Sequence, residues 1–250
     1  MIRFGLIGYP LSHSFSEGYF SAKFEREQTT DQFRYDTFPL ESINKFPQLL
    51  LDYPALRGIN VTIPYKEQVI PFLDELSPAA KAIGAVNTIL NEKGRLKGFN
   101  TDVIGFKDSL DTFLQQNGGA AKAALILGTG GAAKAIAWVL AQSGVQYHYV
   151  SRKKSPNYLN YEKLDANLMA QIDLIVNTTP LGMFPNVETC PNIPYHCLSD
   201  QHRLYDLVYN PEKPLFLAKG EAAGAAICNG LAMLHGQADA AWDIWTVSMK

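Results

Sequence analysis

Short apolar runs alternate with amphipathic stretches from one end of the chain to the other. Residues 2–7 form an apolar run closed by Gly8-Tyr9-Pro10, which predicts a strand entering a loop. The stretch that follows, to about Gln28, has helical character, and residues 32–38 alternate apolar with polar side chains as a strand does. Residues 60–63 read as a strand stopped by Pro64, and residues 86–90 and 96–99 read as a hairpin around a turn at 91–94. Asp102 opens a helix with Val103, Phe106, Leu110, Phe113 and Leu114 on one face, ending at Asn117-Gly118-Gly119. A domain boundary is expected within or just after this helix.

From Ala123 the pattern changes. Residues 123–127 read as a buried strand, Gly128-Thr129-Gly130-Gly131 as a loop, 132–142 as a helix ended by Gly144, and 147–150 as a second strand. This β-turn-α-β order, over roughly 30 residues, is the context a dinucleotide site demands. Further strands are expected at 172–176, 204–208 and 225–228. The last helix, from about Gly230, places Leu231, Leu234, Ala238, Ala241, Trp242 and Trp245 on one face. Gln237 lies beside that stripe and needs a partner, either a core hydrogen bond or a ligand.

The glycine loop reads Gly128-x-Gly130-x-x-Ala133. Glycine permits the tight turn and the close approach of a pyrophosphate, and the helix that follows offers free N–H groups and a partial positive charge. An ordinary strand-to-helix turn is the alternative, which the complete unit disfavours. An NAD site usually carries Asp or Glu at the end of the second strand. Here stands Ser151-Arg152-Lys153-Lys154. Residues 112–161 contain no Asp or Glu but do contain Lys122, Lys134, Arg152, Lys153 and Lys154. A guanidinium can bind a 2′-phosphate bidentately, whereas a carboxylate would repel it, so NADP(H) is expected over NAD. The competing reading is a solvated basic turn.

Composition sharpens this. The 250 residues carry 22 basic and 24 acidic side chains, a formal charge of −2 that averages over the basic central stretch. No nucleic-acid partner is expected from that balance. Apolar runs such as 135–141 fall short of the ~18 residues of a membrane span, and the start lacks a signal-peptide core. Cys190, Cys197 and Cys228 are odd in number and lack metal-ligand spacing, so no metal and a reducing, cytoplasmic setting are expected.

Eight motifs then stand in order along nearly the whole chain: GYPLSHSFS (8–16), NVTIPYKE (60–67), GAVNT (84–88), GFNTD (98–102), LGTGGAAKA (127–135), NTTPLGM (177–183), DLVYNP (206–211) and GLAMLHGQA (230–238). Together they resemble the shikimate dehydrogenase family. The resemblance implies NADPH-dependent reduction of 3-dehydroshikimate to shikimate in aromatic amino-acid and chorismate biosynthesis. It implies that Ser14 and Ser16, with Tyr209, hold the substrate carboxylate, and that Thr62, Asn87 and Gln237 contact the ring substituents. Lys66 and Asp102 would form the catalytic pair and touch substrate. Gly128, Thr129, Gly130, Gly131 and Ala132, with Ser151, Arg152 and Lys153, would bind the cofactor. Asn177 and Thr178 would line its ribose and phosphate path, and Gly230 and Met233 would lie by the nicotinamide. The implied architecture is an α/β substrate domain of residues 1–102 and 229–250 and a Rossmann-type NADP domain of 103–228. The active site is expected in the cleft between them, and the protein as a monomer or homodimer.

The chemistry of the pair stands on its own terms. Reducing a ketone needs a hydride on carbon and a proton on oxygen, and a protonated lysine can stabilise the alkoxide and deliver that proton. A charged Asp102 at a helix N-terminus would favour the protonated lysine while burial would disfavour it. Proton donor and electrostatic or binding group therefore both stand open for Lys66. Several positions depart from the family pattern. Glu17 replaces a common proline, Phe20-Ser21 stands in place of a His-Asn pair, Ser151-Arg152-Lys153 in place of Asn-Arg-Thr, and Gly236 is unusual. The segment 152–172 is short, leaving little room for a full crossover helix. A broader quinate/shikimate dehydrogenase and a non-catalytic NADP or metabolite sensor are the competing functions.

Overall fold

The computed structural model describes residues 1–11, 15–153 and 155–247. The chain divides into two compact units, one of Met1–Thr101 with the residues from Ala238 onward, the other of Asp102–Gln237.

The first unit is built on a sheet of β1 (Ile2–Gly8), β2 (Phe33–Pro39), β3 (Leu56–Val61), β4 (Glu75–Leu76), β5 (Thr88–Glu92) and β6 (Arg95–Phe99), in the order β2-β1-β3-β5-β6-β4. β1 runs parallel to β2 and β3, and parallel neighbours need crossovers, here α1 (Phe15–Arg26) and α2 (Phe46–Asp52). β5 pairs antiparallel with β3 and β6, as the hairpin pattern requires. α3 (Pro78–Ile83) starts on Ser77, whose hydroxyl accepts from the Ala80 N–H at 3.3 Å. Phe4, Phe20, Phe24, Tyr35 and Trp245 fill one face of the sheet, while Ile7, Phe46, Leu49, Ile59 and Ile89 fill the other. Trp245 comes from the end of α8 (Leu231–Thr246). It stacks on Phe4 at 5.1 Å between centroids, and its indole N–H donates to the Ile89 carbonyl at 3.0 Å.

The second unit is a wholly parallel sheet of β7 (Ala123–Leu127), β8 (Gln146–Val150), β9 (Leu174–Asn177), β10 (Arg203–Asp206) and β11 (Ala226–Cys228), ordered β11-β10-β9-β7-β8. It also contains α4 (Asp102–Gln116), α5 (Gly131–Gln142), α6 (Ala166–Met169) and α7 (Leu215–Ala222). The predicted face of α4, Val103, Phe106, Leu110, Phe113 and Leu114, is buried. Between β8 and β9 stand a 3₁₀ turn (Tyr161–Lys163) and the four-residue α6 in place of a long crossover helix. Leu159 ties this short segment to the outer edge of β8, donating to the Tyr149 carbonyl at 2.8 Å and accepting from the Ser151 N–H at 2.9 Å.

Three expectations shift. The strand expected at 60–63 is Leu56–Val61, because the chain turns directly after it, the Tyr65 N–H bonding the Thr62 carbonyl at 2.9 Å. The strand expected at 204–208 is Arg203–Asp206, because the Val208 N–H turns to the Asp206 carboxylate at 3.0 Å. Leu231, expected on the packed stripe of the last helix, is 42% exposed, whereas Met233 is buried. The cause is a close helix crossing: a Cβ on Gly105 of α4 would lie 2.3 Å from the Met233 carbonyl oxygen and 2.7 Å from the Gln237 nitrogen. The same crossing accounts for Gly236, where a Cβ would come within 3.1 Å of the Gly105 Cα.

Candidate active site

In the first unit the expected substrate residues fall on loops at the carboxyl ends of β1 and β3 and at the start of β5. Ser16 lies in the first turn of α1, and Ser14 lies outside the described residues. Thr62 follows β3 directly and crowds the end of β1, where a Cβ on Gly8 would come 2.4 Å from its Cγ2. Lys66 is half-buried in the next turn, and its carbonyl accepts from the Val86 N–H at 2.7 Å. Its backbone is thereby fastened one residue from Asn87. The Asn87 carbonyl in turn accepts from the Val61 N–H at 2.8 Å. Asn87 Oδ1 accepts from the Thr101 N–H at 2.7 Å, and Asp102 follows in the chain, buried, as the first residue of α4. Thr62, Lys66 and Asn87 are thus held by one set of backbone ties.

In the second unit the expected cofactor residues gather at the carboxyl ends of β7, β8, β9 and β10, where ligands bind in open parallel sheets. Gly128 has φ of 115°, and a Cβ there would meet Thr178 Oγ1 at 2.6 Å, so only glycine fits. Thr178 is itself anchored on β7, donating from both N–H (3.0 Å) and Oγ1 (2.8 Å) to the Leu127 carbonyl. Leu207 N–H bonds the Asn177 carbonyl at 3.0 Å, and Gly230 N–H bonds the Val208 carbonyl at 3.3 Å. These ties link Asn177, Tyr209 and Gly230 to one rim. Met233 is buried nearby in sequence, packed at the Gly105 crossing. Gln237 Nε2 donates to the Leu234 carbonyl at 2.9 Å within its own helix, the core-type bond that was one of its two expected roles. Burial pushes the Tyr209 hydroxyl up from its ordinary pKa.

The loop fits a dinucleotide. Gly130 is the N-cap of α5 and offers no side chain to its N–H groups, and a Cβ on Gly130 or Gly131 would meet no atom within 4 Å. That open space, over the positive end of a twelve-residue helix, suits a pyrophosphate. Thr129 and Ala132 flank it. Beyond β8 the buried Ser151 accepts from the Lys153 N–H at 3.1 Å, shaping a turn that presents Arg152 and Lys153 to solvent. Lys154 lies outside the described residues.

Sequence reasoning missed one group in each unit. In the second, Asp206 ends β10 fully buried, accepting on Oδ1 from Asn177 Nδ2 at 2.9 Å and from the Val208 N–H, with no hydrogen-bond partner for Oδ2 among the described residues. Desolvation pushes its pKa up to about 7 against the downward pull of those two donors. Asn177 Oδ1 accepts from Thr179 N–H at 3.0 Å and Oγ1 at 2.7 Å, so Asp206 orients Asn177 and through it the loop after β9. In the first, Tyr35, Asn60, Thr88 and Thr101 form one buried polar chain. For Asp206 and Asn60 the signal was a polar side chain between apolar neighbours, which marks a partner without saying which.

A Rossmann-type unit with a glycine loop and basic rim, alongside a second α/β unit carrying a lysine among hydroxyls and amides, defines a two-unit α/β oxidoreductase. Residues 6–89 match the family profile of the shikimate dehydrogenase substrate binding domain. The chain is 38% identical over 262 residues to the shikimate dehydrogenase (NADP(+)) of Desulforamulus reducens, covering 97% of this chain and 89% of that one. It is similar to the crystal structure of Thermus thermophilus shikimate 5-dehydrogenase in complex with NADP(H) and shikimate, with TM-score 0.86, 31% identity and coverage of 99% and 94%. It is also similar to Corynebacterium glutamicum quinate dehydrogenase in complex with NAD, with TM-score 0.87, 26% identity and coverage of 98% and 94%. The chain belongs to the shikimate dehydrogenase family. Among the described residues no helix is long and apolar enough to cross a membrane.

Proposed function

We propose that this protein is an NADP-dependent oxidoreductase that interconverts 3-dehydroshikimate and shikimate. The observation that carries the reading is the backbone-tied cluster of Thr62, Lys66 and Asn87 in a chain of this family. The nicotinamide, when bound, supplies or accepts the hydride. Lys66 stands as the group that steadies the alkoxide and delivers the proton to oxygen, with Asp102 as its partner. Ser14 and Ser16 with Tyr209 receive the carboxylate, and Thr62, Asn87 and Gln237 the ring hydroxyls. Residues 128–132, Ser151, Arg152, Lys153, Asn177, Thr178, Gly230 and Met233 receive the cofactor. The substrate domain is the unit carrying Lys66 and the NADP domain the unit carrying Gly128. A reducing cytoplasm suits Cys190, Cys197 and Cys228, all free thiols.

The test is turnover of shikimate and quinate with NADP and NAD, read from absorbance of the reduced nicotinamide. Shikimate with NADP is expected to be the preferred combination, and no turnover of shikimate would overturn the assignment. The likeness to a quinate dehydrogenase keeps the broader specificity as the second reading, and preferred quinate turnover would select it. Arg152→Ala is expected to raise KM for NADP by roughly 10- to 100-fold, the worth of charge-assisted hydrogen bonds to a phosphate, and to leave KM for NAD nearly unchanged. Equal loss for both cofactors would show that Arg152 does not meet the 2′-phosphate.

A further inference from the structure

A continuous chain of buried polar side chains runs beneath the substrate loops. Tyr35 on β2 donates from Oη to Asn60 Oδ1 on β3 at 2.8 Å, and Ser16 is hydrogen-bonded to the same phenol. Asn60 Nδ2 donates to the Asn87 carbonyl and to Thr88 Oγ1, each at 3.3 Å. Thr88 Oγ1 lies 3.2 Å from Thr101 Oγ1. Thr101 closes on Asn87, its N–H donating to Oδ1 at 2.7 Å and its Oγ1 accepting from Nδ2 at 3.0 Å. Tyr35, Asn60, Asn87, Thr88 and Thr101 are all buried.

Backbone groups fix the orientation of both amides in this chain, while either hydroxyl of Thr88 and Thr101 can donate to the other. A carbonyl only accepts, so Asn60 must face Asn87 with Nδ2, which leaves Oδ1 for Tyr35. A backbone N–H only donates, so Asn87 must face Thr101 with Oδ1. Tyr35 has one proton and Asn60 takes it, so the Ser16 hydroxyl donates to Tyr35. Tyr35 thereby holds Ser16 Oγ in place. Buried polar groups are costly unless fully paired, and apolar residues of the same shape would hold the sheet without them. What a complete network adds is one defined orientation for the groups at its ends, which lowers the ordering cost of binding.

We propose that Tyr35 and Thr88 are positioning residues for the substrate, setting Ser16 and the Asn87 amide through Asn60 and Thr101 before the substrate arrives. This rests on the shikimate reading above. The test is steady-state kinetics of Tyr35→Phe, Thr88→Val and the double variant in the full chain, alongside wild type. Each single variant is expected to raise KM for shikimate roughly 3- to 10-fold, the worth of one hydrogen bond, with KM for NADP unchanged. The double variant is expected to lose less than the product of the two, because both act through Asn60. Thr88→Ser keeps the hydroxyl and is expected to retain wild-type KM. Only variants with wild-type circular dichroism are read, and Thr88→Ala replaces Thr88→Val if the latter does not fold. Unchanged KM for shikimate in the folded variants, with wild type active, overturns this inference alone, as does Thr88→Ser behaving like Thr88→Val. A wild type without shikimate turnover overturns the functional reading and this inference with it.

Discussion

Lys66→Ala is expected to lower kcat for shikimate with NADP by roughly 10²- to 10⁴-fold, the range for a positioned proton donor. That is about 3–5 kcal/mol of transition-state stabilisation. The carbonyl of Lys66, which accepts from the Val86 N–H at 2.7 Å, is untouched by the change, so the backbone tie to the Asn87 segment survives. The residue is half-buried in a turn rather than part of either core cluster of its unit. Thermal stability should therefore stay within about 0.5 kcal/mol of wild type, as for most substitutions away from cores. The kinetic pattern separates the two roles left open for this lysine. A fall in kcat and kcat/KM together marks an interaction made only in the transition state, whereas a raised KM at constant kcat marks uniform binding. Lys66→Arg sharpens the distinction. A guanidinium keeps the charge but does not give up a proton, so recovery by arginine would assign an electrostatic role. A wild-type kcat in folded Lys66→Ala would remove the lysine from the mechanism.

The elements that were legible from sequence are those whose cause is local. Gly128 announces its turn because its positive φ and its contact with Thr178 exclude any side chain. The helix α4 announces itself because five apolar residues at helical spacing all reach the core. The ends of β3 and β10 slipped because single turn bonds set them, Tyr65 N–H to the Thr62 carbonyl and Val208 N–H to the Asp206 carboxylate, and such bonds leave no mark in the apolar pattern. The two-residue β4 has no length in which a period could show. The face of α8 was misjudged at Leu231 because Gly105, more than a hundred positions away, decides which side packs. The motif residues of the candidate site were readable as ordered motifs, while the contacts among the buried polar residues were not. Tyr35 lies opposite Phe4 and Asn60 opposite Leu6, so the phenol reaches Asn60 diagonally across β1. That meeting exists only once three strands are in register, and no spacing along one strand foretells it.

Asp206→Asn is expected to make the protein increasingly more stable than wild type as pH rises from about 4 to above 7. The buried carboxyl titrates near 7, whereas an unfolded Asp titrates at 3.8. Below the unfolded value both states hold the proton and burial of the neutral acid carries no charge penalty. Between the two values the unfolded chain ionises while the folded one does not, so stability falls with rising pH until the folded group ionises as well. At 1.36 kcal/mol per pH unit, that displacement amounts to about 4 kcal/mol by pH 8. Asparagine copies the neutral acid: its Oδ1 can still accept from Asn177 Nδ2 and the Val208 N–H, and it never ionises. Melting temperatures measured from pH 4 to pH 9 should therefore diverge in favour of the variant, and a pH-independent gap would show that Asp206 is not buried as an acid. The carboxyl group is thus a stability cost carried where β9 and β10 deliver the loops proposed to meet the cofactor. What it supplies there is the orientation of Asn177, whose Oδ1 accepts from both the N–H and the hydroxyl of Thr179. Ionisation near neutral pH strengthens its bond to Asn177, since hydrogen bonds to a charged acceptor are roughly twice as strong as neutral ones. The neutral variant should accordingly gain stability and bind NADP more weakly above pH 7, a trade expected where a fold keeps a destabilising group for its site.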